Sequence, residues 1–432
     1  MIPEAEAQAP FVEQPLITTI PTGAVSTPGD KTIISSSPTA TDAASGSSGP
    51  QAAIKTKQPE HTCTPSPTKS TAPSATWTTC PYETRDGKVN PDTRSLSGPG
   101  TINTISQDVL YNAIAYALSK KAAYAQTVSK LTDVLFRNAD TYLNPNVNFG
   151  QVVRGPGQNM GTFTGILDFR GMVKIINGLQ ILKVAGYSAT KESSDGLQRW
   201  FQQYGKWLDT NTLSKKAGTR PNNHGTFFAL QHAAVKMALG DYSGAKQVIQ
   251  KFFDEIFPDQ IAQSGEQPFE AVRTRPFHYR CFNLEALIAL CKIADALGME
   301  CWNKKSKYGT GIQDAIDFTM KQIPKNENAA ELVPHLAAAA AVFGDPLGKY
   351  ATYMQKVQSN YKQRPFWYYD QPGALNFGTG SGKAKRGDTS PTVLFDCPRI
   401  FEIEGGEVEI EDGLFVTCAE LQPFFELPSS TD

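Results

Sequence analysis

The sequence predicts an all-α domain of antiparallel helical hairpins, preceded by a disordered N-terminal stalk and followed by a small C-terminal β-hairpin region. Three observations predict it. Apolar residues recur at helical spacing from about residue 105 to 362, residues 20–75 carry hardly any large apolar side chain, and beyond residue 364 strand-like runs are broken by Gly-Gly and Asp-Gly.

The first fifteen residues, MIPEAEAQAPFVEQP, lack the basic and apolar regions of a secretory signal, so a leader, if there is one, is already gone. The stretches ISSSPTATDAASGSSGP and CTPSPTKSTAPSAT that follow are Ser, Thr, Pro, Ala and Gly. They cannot bury enough surface to offset their ordering entropy, and residues 1–76 are expected to be a disordered stalk. Such tracts are typical of O-glycosylated stalks on exported proteins, which points to a secreted, extracellular protein, although a cytosolic tail has the same composition. Residues 77–432 form the expected folded part, with a strand-rich extension from about 364.

Within it, DVLYNAIAYALSKKAAYAQTVSKLTDVLF, MVKIINGLQILKVAG, GLQRWFQQYGKWLDT, HGTFFALQHAAVKMALG, GAKQVIQKFFDEIF, FNLEALIALCKIADALG, GIQDAIDFTMKQI, AAELVPHLAAAAAVFG and PLGKYATYMQKVQSNY each place apolar residues at i, i+3, i+4 and i+7. At least nine helices follow. Gly186, Gly240 and Gly298 fit left-handed C-caps, and the short connections make neighbours antiparallel, as in a bundle, solenoid or toroid. The final segment, VLFDCPRIFEIEGGEVEIEDGLFVTC, is expected to pack a small antiparallel hairpin on the helices.

Composition narrows the function classes. Lys+Arg number 41 and Asp+Glu 42, a net charge of −1, with no basic stripe for nucleic acid. No run approaches the roughly 18 to 20 apolar residues of a membrane helix; the most apolar stretch, 337–343, is far shorter. Seven cysteines include no CxxC pair, so neither a zinc ribbon nor a thioredoxin-type site is indicated. Cys291 with Cys301 and Cys397 with Cys418 are plausible disulfides by separation, while Cys281 and Cys291 serve equally as buried small hydrophobes in a helix.

Two clusters can carry chemistry. In TRPNNHGTFFALQ a Gly/Lys loop ends and a helix begins, with Asn223 as the expected N-cap and His224 in a first turn whose free N–H groups favour an anionic ligand. Phe228 and Gln231 follow on the same face. Spacing alone leaves open that Asn222 and Asn223 only cap the helix. In EQPFEAVRTRPFHYRCFNL, Arg273, Arg275 and Arg280 surround Tyr279, with Pro276 at the first position of the next helix. Guanidinium charge there is expected to lower the tyrosine pKa from about 10 and fit it to move protons, although a surface arginine cluster reads equally well.

The blocks LNPNVNFGQ (143–151), GTFTGILDFRG (161–171), NNHGTFFALQ (222–231) and QPFEAVRTRPFHYRCFNLEAL (267–287) together resemble the alginate lyase family of polysaccharide lyases, with the nearest look to its glucuronan and alginate-lyase-like branch. The resemblance covers roughly residues 105–345. It implies an α/α-toroid, an incomplete barrel of antiparallel helical hairpins, and cleavage of a 4-linked uronic acid polymer such as glucuronan or mannuronate-rich alginate by β-elimination. It implies Asn223 and His224 as carboxylate neutraliser and base candidates, Arg273 assisting, and Tyr279 as the acid, the base lying between His224 and Tyr279. Asn222, Gln231, Arg275, His278, Asn148, Gln151 and Gln158 are candidate substrate contacts, and Asn146 and the aromatics Trp367, Tyr368 and Tyr369 weaker ones. No cofactor is called for and no metal constellation is visible. The expected partner is an acidic polysaccharide, met by a monomer without nucleic acid or membrane. Two other readings stay open: a glycoside hydrolase using carboxylates such as Asp168, Glu266 and Glu270, and a non-catalytic glycan-binding protein.

Overall fold

The structure, a computed structural model, describes residues 55–56, 84–155, 160–363 and 393–426. Gln158, Trp367, Tyr368, Tyr369, Cys63 and Cys80 lie outside the described residues. Helices dominate the rest and form an incomplete α/α-toroid of antiparallel hairpins. In chain order they are α1 (Gly98–Ser119), α2 (Ala122–Phe136), α3 (Met172–Val184), α4 (Lys191–Thr210), α5 (Thr212–Ala217), α6 (Asn223–Ala238), α7 (Tyr242–Glu255), α8 (Pro268–Ala271), α9 (Pro276–Ala296), α10 (Ile312–Lys321), α11 (Val333–Phe343), α12 (Lys349–Val357), α13 (Ile400–Ile403) and α14 (Cys418–Phe425).

The caps follow from local chemistry. Gly186, Gly240 and Gly298 take positive φ of 84°, 77° and 68° just past α3, α6 and α9, as expected. Pro276 opens α9, where its missing N–H costs nothing. The stretch from Asp108 to Phe136, which reads as continuous helix in the sequence, is two helices. Lys120 adopts φ 60° between them and donates its N–H to the Tyr116 carbonyl, turning the chain back into a hairpin.

One continuous core runs through the helices, from Ile102 and Val109 of α1 through Ile175 of α3, Tyr204 of α4, Phe227 and Leu230 of α6, and Leu284 and Leu287 of α9, to Leu336 of α11. Each fully buried side chain of this kind contributes about 1.5–3 kcal/mol. The helix α6 packs against α7 and α9, and α1 against α2 and α3, so the hairpins lean on one another in sequence.

A second, smaller core sits at one end. Here β2 (Glu407–Glu411) and β3 (Leu414–Thr417) form the expected antiparallel hairpin, and β1 (Lys55–Thr56), from the segment expected to be stalk, pairs with Leu414 and Phe415 at its edge. Val408, Ile410, Leu414 and Val416 pack with Phe401, Leu421 and Phe425 onto Phe269 and Val272. Glu409 and Glu411 of β2, with a register irregularity between them, both meet the helices: Lys216 pairs with Glu409, Arg273 with Glu411, and Arg220 donates to the Glu409 carbonyl and pairs with Glu404. Phe269 and Val272 flank Glu270 and Arg273, so this packing brings the hairpin tip to the segment that carries the arginine. The cysteine pairs Cys291–Cys301 and Cys397–Cys418 are both bonded, and Cys281 is a buried free thiol.

Candidate active site

The start of α6 provides the first wall. Asn222, one residue before the expected position, is the N-cap, and its side chain caps nothing. Its Nδ2 donates to the Ile410 carbonyl at 2.7 Å, which leaves Oδ1 facing His224 Nδ1 at 3.2 Å. An amide oxygen accepts, so Nδ1 carries the proton and Nε2 of a neutral His224 holds the lone pair. That Nε2 is buried, 3.5 Å from Glu411 Oε1, within ion-pair reach but without a hydrogen-bond partner. Gly225 makes this tight turn possible, because a Cβ there would stand 2.1 Å from the Arg220 carbonyl oxygen.

Asn223 points the other way. Its backbone N–H donates to Glu270 Oε1 at 2.7 Å, and its Nδ2 reaches both Glu270 oxygens at 3.2 and 2.9 Å. Burial pushes the Glu270 carboxyl up to about 7, against the pull of Arg273 and Asn223. Asn223 Oδ1 stays buried without a partner.

The segment between α8 and α9 provides the second wall. Arg273 is fully buried, with Nε on Asp86 Oδ1 at 2.8 Å, Nη2 on the same oxygen at 2.6 Å and Nη2 on Glu411 Oε2 at 2.9 Å. Nη1 has no partner. The guanidinium stacks on Tyr279, 3.8 Å from its ring centroid. Glu411 therefore joins the two walls: one carboxylate lies between the imidazole of α6 and the guanidinium beside the phenol. Burial alone would raise its pKa, but His224 and Arg273 hold it at about 2.

The expectation that arginine charge lowers the tyrosine pKa is corrected. Burial pushes the Tyr279 phenol up, Arg273 opposes this, and the carboxylates of Asp86, Glu411 and Glu270 add to it, so the phenol is protonated at neutral pH. Asp86 and Glu411 are absent from the sequence-based candidates. Glu411 stands beyond a register irregularity in β2, between Glu409 and Glu411, that the alternating EVEIE does not announce, and Asp86 lies in a loop with no pattern.

The other candidates divide. His278 hydrogen-bonds Glu331 at 2.7 Å and lines a cavity of about 500 Å³ with Arg170 and Lys174. Arg275 is exposed. Three expected sugar contacts are instead held by the fold. Gln231 is fully buried, donating to the Ile166 and Phe227 carbonyls and accepting from Tyr204. Asn148 accepts from Trp207 Nε1 at 2.7 Å and from Asn211, and Gln151 donates to Asp168. Asn146 accepts from the Asn148 backbone N–H and lines a cavity of about 380 Å³. The hydrolase carboxylates are equally engaged: Asp168 by Gln151, Glu266 by two bonds of 2.6 Å from Arg280, and Glu270 by Asn223. Among the described residues no three His, Cys, Asp or Glu side chains cluster as metal ligands, and no helix is long and apolar enough to cross a membrane.

A family model described as alginate lyase matches residues 38–329, a span that includes both walls and Asp86 but not Glu411. Among solved structures, an alginate lyase from Bacteroides ovatus aligns with a TM-score of 0.54 at 24% identity, covering 68% of this chain and 74% of that one, a likeness of fold. No curated protein matches.

Proposed function

Because the chain belongs to the alginate lyase family and is a polysaccharide lyase acting on an acidic polysaccharide, we propose that it cleaves 4-linked polyuronates, glucuronan or mannuronate-rich alginate first, by β-elimination at the site formed by Asn223, His224, Arg273 and Tyr279. The observation that carries this reading is the Glu411 carboxylate between His224 Nε2 and Arg273 Nη2, because it displays what this pair of groups binds.

Removing the proton on C5 of a uronate builds negative charge on a group that already carries one. Donors aimed at the C6 carboxylate supply the largest stabilisation, and Arg273 is such a donor, with His224 a second only when its imidazole carries both protons; both side chains are buried where charge is little screened. Arg273 Nη1 and His224 Nε2 still lack hydrogen-bond partners: the first awaits an acceptor oxygen, and the second, as a lone pair, awaits a proton. Tyr279, protonated at rest, is the acid that delivers its proton to O4 as the glycosidic bond breaks.

On β-D-glucuronate and β-D-mannuronate, H5 and O4 share one side of the ring, and the same tyrosine serves as base and acid once its resting proton has passed to solvent: the phenolate beside Arg273 takes the C5 proton and hands that proton to O4. On α-L-guluronate they lie on opposite sides, and the lone pair of His224 Nε2 is the base. A panel of glucuronan, polymannuronate, polyguluronate and pectate, followed by the ultraviolet absorbance of the 4,5-unsaturated product, tests this reading. Turnover is expected on the first two; polyguluronate alone would transfer the base role to His224, and no absorbance on any of them would refute the proposal. We also propose that the protein is exported, which the Ser/Thr/Pro-rich segment and the two disulfides support.

A further inference from the structure

Resting on that reading, we propose that Glu411 is a specificity-determining residue: its carboxylate sits in the seat of the substrate carboxylate, so that only a sugar with an ionised carboxylate displaces it. Four observations carry this. The carboxylate contacts the two neutralising groups, His224 Nε2 at 3.5 Å and Arg273 Nη2 at 2.9 Å. Arg273 does not need it for charge balance, because Asp86 already binds Nε at 2.8 Å and Nη2 at 2.6 Å. The seat is incompletely filled, since Arg273 Nη1 and His224 Nε2 remain buried without hydrogen bonds.

The fourth observation is how Glu411 is held. Its side chain is 20% exposed, whereas those of His224 and Arg273 are fully buried. The hairpin backbone around it is fixed to the helical domain, with Arg220 donating to the Glu409 carbonyl at 2.8 Å and Asn222 to the Ile410 carbonyl at 2.7 Å. Rotation of the Glu411 side chain toward solvent opens the seat while the sheet stays in place. An incoming carboxylate restores the contacts that Glu411 gives up. An esterified or neutral sugar does not, and leaves a buried guanidinium short of its partner, so the resident carboxylate discriminates by the cost of displacing it.

The test compares wild type with Glu411→Gln and Glu411→Asp on polyuronate and on its methyl ester. Glu411→Gln is expected to lower KM for the polyuronate about ten- to a hundredfold, the size of one hydrogen bond to a charged group. It should also bring binding of the methyl ester from undetectable to measurable. Glu411→Asp, which keeps the charge but withdraws it by one methylene, should fall between. An unchanged or raised KM in both variants overturns the inference. Calorimetric titration of D-glucuronate into Tyr279→Phe and Tyr279→Phe/Glu411→Gln reads the seat without turnover. Tighter binding in the double variant with no cleavage of any polymer by wild type keeps the seat and removes the lyase reading. Equal binding alongside normal cleavage removes the seat alone.

Discussion

In the proposed mechanism Tyr279 is the residue on which the chemistry turns, and its surroundings define that role. A phenol kept protonated by burial and by three carboxylates has its proton in place for the departing O4, and the stacked Arg273 stabilises the phenolate that results. Tyr279→Phe is expected to reduce kcat by about two to four orders of magnitude, and His224→Ala to reduce it less, since Arg273 remains. Steady-state rates of unsaturated-product formation check both; a Phe variant with normal turnover would remove the acid assignment. Glu270 gives a second test at this scale. Its carboxyl is raised from 4.5 to about 7 in the folded state, so the stability it contributes is fully present below about pH 4.5 and is lost as pH rises through 7. Glu270→Gln, which still accepts from the Asn223 N–H, is expected to gain on wild type between pH 5 and 8 by a few kcal/mol, at about 1.4 per pKa unit. Urea melts across that range show whether the gap opens with rising pH; a gap that stays constant would contradict the burial argument.

The helix α6 shows what sequence can and cannot supply about an element. Its span was legible because NHGTFFALQHAAVKMA repeats at the helical period, and so was the position of His224 in the first turn. The cap was misplaced by one because two asparagines are adjacent and the choice between them depends on the distant Ile410 carbonyl, which takes the Asn222 amide. The turn after α1 was illegible for a similar reason: Lys120 at φ 60° carries no glycine signal. Glu411 needed the tertiary packing of β2, because the register irregularity before it breaks the alternation that would give its face. Gly225 tests the element directly. With a Cβ 2.1 Å from the Arg220 carbonyl oxygen, Gly225→Ala must shift backbone rather than a flexible side chain, and is expected to cost about 1–3 kcal/mol and to impair activity by displacing His224. Denaturant unfolding with parallel rate assays checks the pair, and an Ala variant as stable and active as wild type would contradict the packing.

At the scale of the molecule, the site stands where two cores meet. The toroid contributes His224 and Tyr279, and the C-terminal sheet contributes Glu411, so in the proposed mechanism the sheet is part of the site and not an appendage. The disulfide Cys397–Cys418 closes a loop of 21 residues around that sheet. Its removal by Cys397→Ser with Cys418→Ser is expected to cost about 3 kcal/mol, felt first in the second core, with proteolysis of the C-terminal region preceding that of the helices. Simultaneous loss of both cores in limited proteolysis would show them to be one cooperative unit. The helical class and hairpin order were legible at this scale because periodicity is a local property. The closing of the site was not, because it joins Asp86, the 222–225 turn, the 273–279 segment and Glu411, segments far apart in the chain.

The central claim is that these side chains break a glycosidic bond by elimination at a bound uronate. Mass spectrometry of the oligosaccharides released from glucuronan or polymannuronate tests it most directly. The account predicts that fragments released from within the chain are lighter by one water than hydrolysis products, with an unsaturated non-reducing end, that only the fragment from the original non-reducing end is saturated, and that the unsaturated fragments disappear with Tyr279→Phe. Internal fragments of full hydrolytic mass, or unsaturated fragments produced equally by Tyr279→Phe, would contradict it.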